Sequence, residues 1–256
     1  MVPAGTNLAS GLKYIFRANG YSMEGSGSVA RVQPLALWPA RSVRSLWSGG
    51  SWDRAWCVLL VWFLCVIAIF LLSGGWSVST FGLSFGLLFG ALAWRYRADV
   101  RPLMARLHLD NFAGFLVLAA SVSAAEETWC WALGNKVAMP LLWKDIVFCS
   151  LVWLPWFAVW HLFLSKRYSF GEKQALLLAA SAGVLYELAG SGLILSPAGL
   201  ILAVPLDLVV YAAIFILPMQ LIDFSGTRTG PARYAISPVL PYLLSLPVAV
   251  LLSIIL

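Results

Sequence analysis

The chain has 256 residues, 61% of them hydrophobic and only 11% charged, with a mean hydropathy of +0.86 and a net charge of +6. Those values exclude an ordinary soluble globule and place the chain among all-α polytopic membrane proteins. In such a protein, excess Lys and Arg marks cytoplasmic loops and lipid-headgroup contacts, so no nucleic-acid partner is implied.

Residues 1–53 read as a basic tail punctuated by Gly, Ser and Pro, and 54–256 as a membrane domain. The opening Met1-Val-Pro-Ala-Gly5 has no basic region followed by an apolar one, so targeting is expected from the first spanning helix. Two stretches of the tail, 8–17 and 34–47, suit the bilayer surface; the second carries Trp38, Arg41, Arg44 and Trp47. An indole there buries its ring and keeps its N–H wet.

Seven apolar runs follow, near 55–73, 76–94, 112–133, 146–165, 174–196, 197–222 and 235–256. Each is close to the ~20 residues that cross a hydrocarbon core. Gly74-Gly75 joins the first two by a short turn, and Gly82, Gly86 and Gly90 form a ridge suited to tight helix contact. If the amino terminus is cytoplasmic, alternate loops put all but two of the 17 basic residues, Lys136 and Lys144, on the cytoplasmic side. The positive-inside rule therefore expects seven spans with the carboxyl terminus outside, in a multi-pass protein of the cell membrane.

Ionisable groups at membrane depth mark sites of use. Glu126, Glu127, Glu187 and Asp207 lie well inside the runs, and His161 is the single histidine within them. At ~1.5 Å per residue the four carboxylates fall at one depth, near or slightly outside the midplane, while His161 lies ~15 Å nearer the cytoplasm. Tyr186 and Tyr211 flank the acids. Neighbours on a helix are ~100° apart, so one of Glu126 and Glu127 is expected to face the interior and the other an adjacent helix. Ala120, Ser121, Ser123, Ala124 and Ala125 are expected to let helices close around them. Asp207 follows Pro205 and has a competing role, satisfying backbone donors freed by the kink. Cys57, Cys65, Cys130 and Cys149 have no metal-ligand spacing and read as small buried thiols. No metal motif or phosphate loop is present, so no cofactor is named; an ion held by carboxylates and one histidine would be a hard one.

Glu126-Glu127 followed by Phe157-Ala-Val-Trp-His161 resembles the first two motifs, EExxxR and FxxxH, of the CAAX protease and bacteriocin-processing family. Trp131 stands where the first motif has arginine, and Asp207 with Tyr211 has the spacing, not the residues, of the third. The resemblance implies an intramembrane endopeptidase acting on a membrane protein or peptide, with a glutamate activating water and His161 assisting. Two other classes stand beside it. Carboxylates at one depth on three helices suit a proton- or cation-coupled transporter or channel-like protein, and the basic tail suits a non-catalytic membrane subunit.

Overall fold

The computed structural model describes residues 50–135 and 138–256. The surface stretches expected at 8–17 and 34–47, and Lys136, lie outside the described residues. What is described is an all-α bundle of seven long helices: α1 (Ser51–Leu72), α2 (Trp76–Arg106), α3 (Phe112–Ala132), α4 (Leu142–Arg167), α5 (Glu172–Gly190), α6 (Pro197–Met219) and α7 (Ala232–Ile255). Five of these, all but α3 and α5, are long and apolar enough to cross a membrane. The other two carry the four described glutamates: Glu126 and Glu127 on α3, Glu172 and Glu187 on α5. Large apolar side chains face outward along α1 and α7, among them Val61, Leu64, Leu243, Leu251 and Ile254. A continuous apolar exterior of this kind belongs against lipid, and the chain is a membrane protein.

Local chemistry sets the helix ends. Asn111 caps α3 by accepting from Gly114 N at 2.9 Å, and Ser196 caps α6 by accepting from Gly199 N at 3.1 Å, with Pro197 at the first helical position. Gly74, at φ 85°, makes the turn between α1 and α2 that a side chain would resist. Two boundaries differ from expectation. Helix α2 continues past residue 94, through a tighter 3-10 turn at Arg97–Asp99, because Arg101 reaches across to accepting carbonyls of Gln220 (3.0 Å) and Ile222 (3.3 Å) beyond the end of α6. Helix α4 starts at Leu142 rather than 146, which brings Asp145 inside it.

Helix α6 is the hub, packing against α1, α2, α3 and α5; α7 returns over α4 and α5. The glycine ridge of α2 lets α6 come close along three turns. A Cβ on Gly82 would stand 2.7 Å from Leu206 Cδ1, one on Gly86 3.2 Å from Val209, and one on Gly90 3.2 Å from Ala213. Across the hub, Phe215 stacks with Trp156 (5.4 Å) and Phe157 (5.8 Å) of α4. Packing and interhelical polar contacts, not water exclusion, hold such a bundle together in lipid.

Every described lysine and arginine except Lys144 lies at the end where α1 begins. There Arg97 pairs with Glu172 (2.8 Å), Lys173 with Asp53, and Lys166 with Asp223 (2.7 Å); the Lys166 hydrogen bond holds the Asp223 carboxyl below the usual carboxylate range. At the opposite end Asn135 donates to Ser77 O (3.4 Å) and Lys144 to the Leu256 carbonyl.

Pro205 has no N–H, which leaves the Ile201 carbonyl four residues earlier without its helical donor. Trp62 of α1 supplies one, Nε1 to O at 3.0 Å. The group opened by the kink is thus an acceptor, filled by an indole, and the structural role expected of Asp207 there is not needed. Asp207 Oδ2 is buried with no hydrogen-bond partner among the described residues. Trp62→Phe keeps the ring and removes the donor; it is expected to cost about 1 kcal/mol, read as a lower unfolding midpoint in detergent. The same change at exposed Trp76 should leave the midpoint where it is.

Candidate functional site

Four helices bring their acids into one layer, in the half of the bundle away from the basic end. From α3 come Glu126 and Glu127, only 8% and 9% exposed; from α4 comes Asp145, fully buried. Helix α5 contributes Glu187 and α6 contributes Asp207. The two glutamates do not divide into one inward and one peripheral residue. Both point inward, because α3 has bundle neighbours over a wide arc and a ~100° offset still keeps both within it. Glu127 is turned to α4, where one carboxylate oxygen each from Glu127 and Asp145 and the Cys149 thiol lie within 4.8 Å of one another. Glu126 lies beside Glu127, within electrostatic reach of Glu187 as well as Asp145.

Asp145 was not among the residues singled out from sequence. It follows Lys144 at the edge of an apolar run and reads there as a loop charge. In the fold it accepts from Met139 N at 2.8 Å, which draws the 138–141 segment over the start of α4, and its Oδ2 has no partner among the described residues. Cys149 also departs from expectation: its thiol, half-buried, faces two carboxylates. The spacing of Asp145 and Cys149, i and i+4 on one helix, was the available signal. Below the glutamates on the same face sits Ser123, fully buried, its hydroxyl likewise unpartnered.

The second half of the layer is aromatic. Tyr211 donates to Glu187 Oε2 at 3.5 Å, and Trp153 meets Tyr186 and Tyr211 edge-on, each at 5.1 Å. Gly183 positions this group: a Cβ there would stand 2.4 Å from Tyr211 Cγ, so the phenol ring rests directly on the α5 backbone.

His161 lies elsewhere. It sits in a widened π-helical turn of α4 (Trp160–Leu164), packed on the rings of Phe112 (5.0 Å) and Phe115 (4.7 Å). Phe115 is three turns of α3 before Glu126, roughly 16 Å along the axis. The small residues of α3 also behave differently from expectation. Ser123 faces the core, but Ala124 and Ala125 line an outward groove of about 570 Å³ with Thr128 and Trp129, and Ser121 bonds its own helix at Val117 O.

Chemically, the layer offers carboxylate oxygens from four helices and one sulfur; Glu126, Glu127 and Asp145 are buried, Asp207 and Cys149 half-buried, and Glu187 exposed. Two carboxylates with a thiol fit a borderline divalent cation better than a purely hard one, which revises the preference drawn from carboxylates and histidine alone. No protein-family model matches the chain, and no curated protein or solved structure matches it either.

Gly183→Ala is expected to cost about 1–3 kcal/mol by overpacking against Tyr211, with a changed near-ultraviolet dichroism from the Tyr211–Trp153 contact. Tyr211→Phe, which removes only a hydroxyl at the edge of bonding range, should alter both little. Equal midpoints for wild type and Gly183→Ala would mean the ring does not rest on the helix there.

Proposed function

We propose that this protein is a cation-handling protein of the cell membrane, transporter- or channel-like, whose working site is the acidic layer between α3, α4, α5 and α6. The observation that supports it is the convergence of Glu127, Asp145 and Cys149 within 4.8 Å, with Glu126 alongside. Ionised side chains at membrane depth cost several kcal/mol unless matched by opposite charge. No Lys or Arg approaches the layer among the described residues; the nearest basic residue in sequence, Lys144, bonds the Leu256 carbonyl instead. Among the described residues no side chain supplies the compensating charge, and the proposal assigns that part to a proton or a metal cation.

Sidedness supports the same reading. With the basic end cytoplasmic, as the positive-inside rule requires, the acidic layer lies toward the outer surface. A cation arriving from outside meets it after crossing only part of the bilayer. The endopeptidase reading needs a histidine that shares a substrate with the glutamate, and the placement of His161 against Phe112 and Phe115 weighs against it.

Reconstituted into liposomes with an entrapped pH dye or divalent-ion dye, the protein should carry protons or Mn²⁺ or Zn²⁺ down an imposed gradient. Glu127→Gln and Asp145→Asn should each lower that flux by at least roughly tenfold, as expected when a ligand to a desolvated charge is lost. His161→Ala should leave it near wild type. Flux indifferent to both acidic substitutions would refute the proposal, and cleavage of a membrane substrate lost in both Glu127→Gln and His161→Ala would favour the endopeptidase.

A further inference from the structure

The basic end holds a cleft unrelated to the acidic layer. Its walls are the last two turns of α4, with Leu162, Phe163, Lys166 and Arg167, and the loop after α6, with Thr227 and Arg228; its volume is about 350 Å³. The loop is fastened to the end of α4 by backbone. Gly226 N donates to Ser165 O (2.8 Å), Arg228 N to Arg167 O (3.2 Å) and Ser169 N to Arg228 O (3.0 Å), and Tyr168 and Arg228 form an isolated parallel bridge. Glycine is required at 226, since a Cβ would stand 2.4 Å from Tyr168 N and O. Thr227 and Arg228 are thus presented at a fixed place beside Lys166 and Arg167.

The charges in this cleft are unequally matched. Lys166 is paired with Asp223 at 2.7 Å. Arg167 and Arg228 have no ion pair among the described residues; Arg167 instead lies over the rings of Phe163 (5.5 Å) and Tyr168 (5.9 Å), which fix the guanidinium without neutralising it. Two guanidiniums, a hydroxyl and an ammonium lining one cleft match the acceptors of a phosphate group. Along α4 toward the membrane interior the wall becomes apolar, with Leu162 58% and Phe163 39% exposed. A free phosphate would have no use for that wall.

We propose that this cleft is a binding site for one anionic glycerophospholipid, its phosphate held by Arg167, Arg228 and Thr227 and its acyl chain laid along Leu162 and Phe163. The site pins the α6–α7 loop to the end of α4 and so ties the basic ends of α4, α6 and α7 together. Polybasic attraction to anionic lipid is ordinarily diffuse; here the loop backbone gives it one place.

The test uses the full chain in a neutral detergent, titrated separately with phosphatidylglycerol, phosphatidylcholine and inorganic phosphate, with native mass spectrometry to count retained lipids and thermal unfolding to read stabilisation. Phosphatidylglycerol should leave one lipid bound and raise the unfolding midpoint, and phosphatidylcholine should do neither. Arg167→Gln with Arg228→Gln should weaken phosphatidylglycerol binding roughly tenfold or more. Arg106→Gln, a basic change at the same end but outside the cleft, should not. Leu162→Ser should weaken the lipid and leave any phosphate effect unchanged. Equal retention by the double variant, equal effects of the two lipids, or inorganic phosphate acting as well as phosphatidylglycerol would each overturn the assignment.

Discussion

The contact between the glycine ridge of α2 and the flank of α6 sets the geometry of everything else. Gly82, Gly86 and Gly90 allow Leu206, Val209 and Ala213 to approach the α2 backbone, so α6 can stand in the middle of the bundle with four helices around it. In lipid no exclusion of water drives helices together, and close backbone approach supplies the packing instead. Once α6 is central, its residues face several partners at once: Pro205 opens a carbonyl toward Trp62 of α1, Tyr211 rests on Gly183 of α5, and Phe215 stacks against Trp156 and Phe157 of α4. Asp207 is half-buried by the same arrangement, on a helix with no cation to offer it.

Helix polarity then separates the acids. Asp145 stands in the first turn of α4, where exposed N–H groups and the positive end of the macrodipole favour a negative charge. Glu187 stands in the last turn of α5, where the macrodipole is negative, and Glu126 and Glu127 stand in the last third of α3, beyond the reach of its end. One carboxylate is therefore supported by its own helix and one is opposed by its own. A cation placed between Glu127 and Asp145 would neutralise the pair while using the supported one as an anchor. Cys149, one turn along α4 from Asp145, completes a set of ligands drawn from only two helices, so a small shift of α3 against α4 would open or close it.

Much of this was legible in the sequence, because composition and hydropathy are local. Seven apolar runs correspond to seven helices, the alternation of basic loops corresponds to two chemically distinct ends, and a glycine every fourth residue on the second run corresponds to a contact ridge. Failures occur where tertiary structure decides. Asp145 looks like a loop charge until Met139 N folds back onto it. Cys149 looks inert when only other cysteines and histidines are searched, since its partners are carboxylates, one of them on another helix. The kink at Pro205 looked like work for Asp207, but an absent N–H frees a carbonyl, and a carboxylate cannot satisfy a carbonyl.

The FxxxH pattern shows how a motif separates from its geometry. Phe157 stacks on Phe215 in the core and meets Phe115 of α3 edge-on, and His161, in the π-helical turn of α4, packs on Phe112 and Phe115 at the start of α3. Asp145, Cys149 and His161 thus all face α3, and height along the helix pair keeps the histidine from the glutamates. The tandem glutamates lie three turns away along α3, opposite the beginning of α4 and not its end. Because α3 and α4 are antiparallel neighbours, Glu127 meets the residues near the α4 start, Asp145 and Cys149, and Phe115 meets those near its end, Phe157 and His161. The pairing of these two helices thus selects the carboxylate–thiol partner for the glutamate and assigns the histidine to an aromatic pocket.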